Sequence, residues 1–172
     1  MRLRYSSMSK QTPHQGSRGS ARVILFFATG FGIGYFPWLP GTAGALSAVP
    51  LSLGLNAIAA ISLPIALLTL AGAICCAIWL STSAALILEQ KDPPVIVIDE
   101  IVGFMVANFM APQSVMLLGV AFLLFRFFDI VKVYPSSRLE KLPGGAGIVL
   151  DDVMAGLYVF GILRLVPSWG LL

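Results

Sequence analysis

No charged residue occurs between Arg22 and Glu89 of this 172-residue chain. A membrane-spanning helix needs roughly 20 apolar residues, so this stretch has room for at least two such helices. The hydrophobic content of 58% and the mean hydropathy of +0.91 lie well above the level of about 45–50% that is typical of soluble domains. The chain is therefore predicted to be an integral membrane protein whose partner is the lipid bilayer. The net charge of +3 is no sign of nucleic-acid binding.

Apolar runs separated by proline, glycine and polar breaks predict the helices. We expect an all-α, polytopic membrane helical bundle of about five helical segments, with a glycine/proline-rich N-terminal loop ahead of them. The predicted segments are residues 42–61, 64–88, 99–111, a fourth whose apolar run is 114–125, and 150–166. Arg126, Asp129 and Lys132 are predicted to form the C-terminal end of the fourth helix. The third segment is short for a full span, so crossing the membrane and reaching part-way through it both remain open.

The first 22 residues differ in composition from the rest of the chain. They contain five basic residues and no acid, which predicts a disordered cytoplasmic tail that contacts anionic lipid. Residues 23–172 are predicted to form the membrane-embedded domain. The one histidine, His14, lies in the tail, which excludes histidine-nucleophile phosphatases.

Residues 31–44, FGIGYFPWLPGTAG, contain four glycines and two prolines. Such a segment cannot form a regular helix, and two interpretations remain open. Tyr35, Phe36 and Trp38 suit an aromatic loop at the membrane interface. Alternatively, the glycines expose backbone N–H groups that bind an anion beside the Thr42 hydroxyl.

The charged residues converge on one side of the predicted bundle. If consecutive helices are antiparallel, all eight acidic residues and ten of the eleven basic residues fall on the same side, and the exception is Arg164. The positive-inside rule makes that side cytoplasmic. Charged residues at the membrane edge are costly, at about 2.5–3.5 kcal/mol each on insertion scales, so their clustering indicates a functional site.

Five carboxylates in this cluster predict a metal site. They are Asp99, Glu100, Asp129, Asp151 and Asp152. Close carboxylates repel by about 4 kcal/mol per pair at an effective dielectric constant near 20, and Mg²⁺, which prefers carboxylate and phosphate oxygens, relieves this repulsion. A second interpretation is that these acids complement helix dipoles and pair with bases.

Arg126 and Lys132 beside a metal site predict a phosphorylated substrate, and the membrane setting makes that substrate a phospholipid. Attack on phosphorus by water and attack by a carboxylate both fit the residues.

Three blocks of the sequence contain most of these residues: GFGIGYFPWLPGTAG at residues 30–44, DPPVIVIDEIVG at 92–103, and FRFFDIVKVYPSSRLEKLPGGAGIVLDDVMAG at 125–156. In these blocks and their order the chain resembles the phosphatidylglycerophosphatase A family of bacterial membrane enzymes. The resemblance implies Mg²⁺-dependent hydrolysis of the terminal phosphomonoester of phosphatidylglycerophosphate to phosphatidylglycerol, in phospholipid biosynthesis. It also implies a multi-pass location in the bacterial cytoplasmic (inner) membrane with the active site facing the cytoplasm.

The resemblance also implies roles for individual residues. Asp129, Asp152, Asp99 and Thr42 are expected to be catalytic, and Arg126 and Lys132 are expected to bind the substrate phosphate. The metal is expected on Asp99, Glu100, Asp129, Asp151 and Asp152. One departure is visible, because the family usually has a proline directly after the lysine and this chain has Val133.

Two other function classes are weighed against this one. A CDP-alcohol phosphotransferase also needs paired acids in a membrane, but its D-G-x2-A-R pattern does not occur here. A small cation carrier would place its carboxylates near the bilayer midplane, whereas these lie at predicted helix ends. The sequence leaves the oligomeric state and the selectivity against phosphatidic acid open.

Overall fold

The computed structural model of the chain describes residues 15–112 and 114–165. Within these ranges the regular structure is entirely helical, which confirms the all-α prediction. The elements are α1 Gln15–Ala28, a 3-10 turn Ile33–Tyr35, α2 Pro40–Ile61, α3 Leu63–Leu88, α4 Ile98–Ala107, α5 Val115–Val131, α6 Ser136–Leu139 and α7 Gly145–Leu165.

Three of these helices, α2, α3 and α7, are long and apolar enough to cross a membrane. With 22, 26 and 21 residues and a rise of 1.5 Å per residue, they extend for about 33, 39 and 32 Å. The ten residues of α4 extend for about 15 Å, which is half the thickness of a bilayer core of about 30 Å. The helix in the third predicted segment is therefore too short to cross a membrane by itself.

The short helix α4 forms the centre of the bundle. It packs against α2, α3, α5 and α7, and eight of its ten residues are buried. Phe104 of α4 and Phe125 of α5 are fully buried, with ring centroids 5.9 Å apart. Because neighbouring helices cover most of its surface, the long helices hold α4 in place.

Two glycines, Gly103 and Gly156, allow α4 and α7 to approach closely. A Cβ atom on Gly103 would lie 2.9 Å from the Asp152 carbonyl oxygen, and a Cβ atom on Gly156 would overlap the Gly103 carbonyl oxygen. Small residues at such crossings let two backbones come into contact. The contact brings the first turn of α4 beside Asp152 of α7.

The predicted N-terminal tail needs a correction. Residues 15–22 belong to helix α1, whereas residues 1–14 lie outside the described residues. Gly16, Ser17, Gly19 and Ser20 are poor helix formers, so propensity alone predicts coil. The helix is stabilised by tertiary packing, because Ile24 and Leu25 contact an apolar cluster that includes residues of α3.

The glycine/proline-rich loop is held against the segment that precedes α4. A Cβ atom on Gly34 would overlap the Val95 carbonyl oxygen, and the Val97 backbone N–H donates to the Ala28 carbonyl oxygen at 3.0 Å. Helix α2 begins at Pro40, two residues earlier than predicted, with the proline in its first turn. The loop therefore ends at a fixed position beside the first turn of α2.

Candidate active site

The predicted charges converge in one pocket with a volume of about 330 Å³. Its lining includes residues from α2, α4, α5 and α7 and from the segment before α4. Seven of the eight residues predicted for the site line it: Asp99, Glu100, Arg126, Asp129, Lys132, Asp151 and Asp152. The structure therefore brings these seven residues together, and their roles stay predictions.

Each helix supplies its charges from a defined position. Asp99 and Glu100 lie in the first turn of α4, and Asp129 lies in the last turn of α5, which ends at Lys132 in the left-handed conformation. Helix α7 starts at Gly145, five residues earlier than predicted, so Asp151 and Asp152 lie beyond its first turn. Because the helix dipole acts mainly within the first turn, it does not account for these two acids.

Three carboxylates of the pocket lie close to one another. Asp99, Glu100 and Asp152 each place one oxygen atom so that all three lie within 4.8 Å of one another. Asp99 and Asp152 are buried, with 9% and 3% of their surfaces exposed. At such distances each pair of negative charges repels by about 4 kcal/mol at an effective dielectric constant near 20, so the three acids need a proton or a cation between them.

Several polar atoms in this pocket have no hydrogen-bond partner. Among the described residues, six buried side-chain polar atoms lack a partner, and five of them belong to the site. These five are Asp99 Oδ1, Glu100 Oε2, Arg126 Nε, Asp151 Oδ1 and Asp152 Oδ2. A buried polar atom without a partner costs about 1–3 kcal/mol, and more if it is charged. Such a concentration of unpaired atoms indicates that the pocket is built around a polar ligand.

The two bases of the site each contact carboxylates. Arg126 Nη1 forms a short ion pair with Asp129 Oδ2, its i,i+3 neighbour, and lies 3.9 Å from Glu100 Oε1. Lys132 Nζ lies 2.9 Å from Asp151 Oδ2 and 3.1 Å from Glu140 Oε1. Partial burial alone would lower the pKa of Lys132, but its hydrogen bonds and ion pairs with Asp151 and Glu140 outweigh that effect and raise the pKa. Lys132 is therefore cationic at neutral pH.

Asp99 and Glu100 lie in α4, outside the three spanning helices. Burial raises the pKa of Asp99 well above its ordinary value, and the neighbouring Glu100 adds to the effect. Burial also raises the pKa of Glu100 to about 7; the Asp129 charge adds to this, whereas Asp99 and Arg126 oppose it. The cause is the same in both cases, since burial disfavours the charged form of a carboxyl group.

Thr42 is the one predicted site residue that does not line the pocket. It is half-buried in the first turn of α2, and its neighbour Gly41 takes the lining position. A Cβ atom on Gly41 would overlap Glu100 Oε1. The catalytic role of Thr42 stays a prediction.

Sequence reasoning did not assign several residues that the structure places at the site. Gly41, Trp38, Leu39 and Asp92 line the pocket, and Glu140 contacts Lys132. Gly41 lies between Pro40 and Thr42 at a predicted helix start, and that position was the available signal for it. The contact of Glu140 depends on how the loop after α5 folds, which no local pattern reveals.

Comparison with known proteins supports the family that the sequence motifs resemble. The family model described as phosphatidylglycerophosphatase A matches residues 26–167. A protein of Bacteroides thetaiotaomicron named putative phosphatidylinositol-3-phosphatase is 38% identical over 84% of this chain and 93% of its own length. No solved structure matches the chain at a significant level.

Two further relatives carry the family name. Phosphatidylglycerophosphatase A of Haemophilus influenzae is 34% identical over 85% of this chain and 90% of its own length. Phosphatidylglycerophosphatase A of Escherichia coli is 32% identical over 79% of this chain and 78% of its own length. This chain is a membrane protein that belongs to the phosphatidylglycerophosphatase A family.

Proposed function

We propose that this protein hydrolyses the terminal phosphomonoester of phosphatidylglycerophosphate and releases phosphatidylglycerol and phosphate. One observation carries the proposal: three carboxylates with oxygen atoms within 4.8 Å of one another share a pocket with Arg126 and Lys132. Membership of the family and the names of two relatives support the same substrate. The pocket combines groups that bind a phosphate with groups that bind a cation.

The residues present fit a Mg²⁺ ion. Asp99, Glu100 and Asp152 supply hard oxygen ligands, and each has a buried oxygen atom without a partner. Mg²⁺ is usually held by one or two carboxylates together with water and substrate phosphate oxygens. When bound, the ion would polarise the phosphoryl group and offset the charge that develops on its oxygens. Asp129 and Asp151 border the same pocket, but each already contacts a base.

The two bases are suited to hold the phosphate. Arg126 retains an unpaired Nε donor, and Lys132 is held cationic by Asp151 and Glu140. Charge-assisted hydrogen bonds from such groups to phosphate oxygens are roughly twice as strong as neutral ones. Asp129 and Asp151 therefore orient Arg126 and Lys132, and the substrate phosphate completes the set of contacts.

The distribution of charge supports a cytoplasmic site in the bacterial inner membrane. Ten of the eleven basic residues belong to the tail or to segments at the pocket end of the predicted topology, and Arg164 lies at the far end of α7. Cytoplasmic segments carry an excess of lysine and arginine. The phospholipid substrate is then taken from the cytoplasmic leaflet.

The test is phosphate release by the detergent-purified protein, with Mg²⁺ and with EDTA. The substrates are phosphatidylglycerophosphate, phosphatidylinositol 3-phosphate and phosphatidic acid. Release from the first lipid that requires Mg²⁺ is the expected result. Faster release from the second lipid would overturn the proposed substrate in favour of the activity named for the Bacteroides relative.

The other function classes predict different results. A cation carrier gives no release from any of the three lipids by folded protein, and it gives ion flux in proteoliposomes. A CDP-alcohol phosphotransferase forms a phosphodiester and releases a nucleotide instead of inorganic phosphate. Either outcome would contradict hydrolysis of a lipid phosphomonoester.

A further inference from the structure

The pocket has an apolar wall that the proposed chemistry does not use. Trp38 and Leu39 line it together with the charged residues. Both are strongly exposed, at 82% and 61%. A pocket with a charged floor and an exposed apolar edge matches an amphipathic ligand, whose anionic group lies inside and whose hydrocarbon lies at the edge.

The size of the pocket limits which part of such a ligand fits inside it. Its volume of about 330 Å³ lies at the low end of the range of about 300–1,000 Å³ for small-molecule sites. It therefore holds a phosphorylated headgroup and leaves two acyl chains outside. The chains must leave the pocket along a path that is compatible with hydrocarbon.

Asp92 and Pro94 also line the pocket, but they belong to an exposed segment that follows the charged residues Glu89 and Lys91 and is poorly suited to hydrocarbon. Next to Trp38, in contrast, Tyr35 and Phe36 are also exposed, at 60% and 54%. Tryptophan and tyrosine are enriched where a protein meets the membrane interface.

The Trp38 edge is fixed in place by the backbone. Prolines at positions 37 and 40 flank it, and the Phe36 backbone N–H donates to the Ile33 carbonyl oxygen at 2.9 Å. Gly34 lies against Val95, with no room for a side chain. The indole is therefore presented by a rigid turn, so it is suited to guide a ligand along one direction.

We propose that Trp38 and Leu39 form the passage through which the lipid substrate reaches the pocket sideways from the leaflet, with its acyl chains resting against the Trp38 indole. This inference rests on the proposed function and adds a residue that determines specificity for long-chain substrates. It concerns binding, so Trp38 takes no part in the chemical step.

The test compares two substrates with the same phosphoglycerol phosphate headgroup. One has long acyl chains and is presented in mixed micelles, and the other has six-carbon chains and is used below its critical micelle concentration. Trp38→Ala is expected to raise KM for the long-chain lipid about tenfold, which corresponds to about 1.4 kcal/mol, and to leave kcat and both constants for the short-chain lipid within twofold of wild type. Trp38→Phe should recover most of the long-chain KM, because it restores an apolar ring.

Phe31→Ala is the matched control. Phe31 is also an exposed aromatic residue of the loop, at 63%, but it does not line the pocket. Its replacement is expected to leave the long-chain KM within twofold. An equal rise in KM for Trp38→Ala and Phe31→Ala would show a general membrane anchor and overturn the passage. Equal effects of Trp38→Ala on the two chain lengths would overturn it as well.

A binding measurement is independent of turnover. In a variant whose other tryptophans, Trp79 and Trp169, are phenylalanine, Trp38 fluorescence is quenched by phosphatidylglycerophosphate with brominated acyl chains at a low mole fraction. Stronger quenching than that by brominated phosphatidylcholine at the same mole fraction is expected, and equal quenching would contradict the passage. If wild type hydrolyses neither chain length, the proposed function fails; if it hydrolyses both and quenching is equal, only the passage fails.

Discussion

The two ends of α4 are both buried and polar, but they are satisfied in opposite ways. At the first turn, Asp99 and Glu100 have oxygen atoms without partners. At the last turn, Asn56 Nδ2 donates to the Asn108 carbonyl oxygen at 2.9 Å, and Asn108 Nδ2 donates to Ser52 Oγ at 2.9 Å. The unpaired charges at the first turn indicate a ligand site. The paired amides at the last turn indicate a structural joint, a set of hydrogen bonds that holds the end of α4 in place.

The joint at the last turn supplies hydrogen-bond partners to backbone groups that leave the helix. Backbone groups that leave a helix inside a membrane need partners from the protein. The Met110 backbone N–H donates to Asn56 Oδ1 at 2.6 Å, and Arg164 Nη2 donates to the Phe109 carbonyl oxygen at 3.1 Å. These bonds supply partners to the backbone groups at the end of α4, so the helix can end inside the bundle.

If the first turn of α4 is a ligand site and the last turn is a structural joint, substitutions at the two ends have opposite consequences. Neutralising an acid at the first turn or beside it removes activity and relieves repulsion in the protein without metal. Removing an amide at the last turn weakens the fold and leaves the chemistry of the folded molecules unchanged.

Asp152→Asn has the largest expected effect. Loss of one carboxylate from the group of three should lower kcat/KM for the lipid phosphomonoester by about 10³-fold, as expected for a group that stabilises charge in the transition state. In EDTA, the variant should unfold at a higher temperature than wild type, because it lacks one of three close, buried carboxyl groups that either repel one another or must take up a proton. Activity and thermal unfolding of the same preparations test both parts.

The control for this variant is the effect of the metal itself. Mg²⁺ should raise the unfolding temperature of the wild-type protein and do so far less in Asp152→Asn, since a ligand that binds only the folded state stabilises it. Activity within tenfold of wild type would contradict the assignment of Asp152. A lower unfolding temperature in EDTA would contradict the repulsion.

Asn56→Ala should break the joint. The substitution leaves the Asn108 carbonyl oxygen and the Met110 backbone N–H without their partner. Each unpaired buried group costs about 1–3 kcal/mol, so a destabilisation of about 2–4 kcal/mol is expected. Thermal unfolding measures the loss, and kcat per folded molecule should stay within twofold of wild type.

Ser47→Ala in the same helix is the matched control for Asn56→Ala. The Ser47 hydroxyl donates to the Gly44 carbonyl oxygen of its own helix at 2.7 Å, and among the described residues it forms no hydrogen bond with another element. Its loss should change stability by less than about 0.5 kcal/mol. Equal destabilisation by the two variants would show that the hydrogen bonds of Asn56 contribute no more to stability than the hydrogen bond of Ser47. That result would contradict a structural role for the last turn of α4.

Gly41→Ala tests how tightly the first turn of α4 is held. The added Cβ atom would overlap Glu100 Oε1, so the carboxylate has to move. A misplacement of about 1 Å near a reacting centre can cost about a hundredfold in rate, and a loss of 10- to 100-fold in kcat/KM is expected. Gly54→Ala, in the same helix but with open space around the added atom, should keep full activity. Normal activity of Gly41→Ala would show that Glu100 is not held by close packing.

The contrast between the ends of α4 also explains what the sequence could reveal. Asp99 and Glu100 are conspicuous because charges are rare in an apolar chain, so the site was predictable from composition and helix order. Asn56 and Asn108 are neutral, single and far apart in sequence. Their pairing depends on the position at which α4 stops, which only packing determines.

Helix ends were harder to predict than helix identities. The prediction of helices for residues 42–61 and 64–88 agrees closely with α2 and α3, because long apolar runs admit few alternatives. The start of α7 was placed too late, because the glycines at positions 144, 145 and 147 resemble a loop. In the structure Gly145 lies against α3, with its backbone N–H donating to Thr82 Oγ1 at 2.9 Å, and a larger residue would not fit there.

Glu140→Gln has the smallest expected effect and tests whether the functional site extends from the first turn of α4 to the loop after α5. Glu140 is 45% exposed at its side chain and lies 3.1 Å from Lys132, which keeps its closer partner Asp151 at 2.9 Å. Exposed ion pairs contribute little, typically about 0–1 kcal/mol, so KM should change about two- to threefold with kcat unchanged.

The ion pairs of Lys132 with Asp151 and Glu140 raise the pKa of the lysine above its ordinary value. The Lys132 ammonium group therefore stays protonated through neutral pH, and any stability it contributes is lost only as pH rises through that raised value. Wild type and Glu140→Gln should therefore show the same pH profile between pH 6 and about pH 9. A large drop in kcat, or a new alkaline limb in this range, would mean that Glu140 belongs to the chemical site and that the charged end of α4 extends further into the loop than the buried carboxylates indicate.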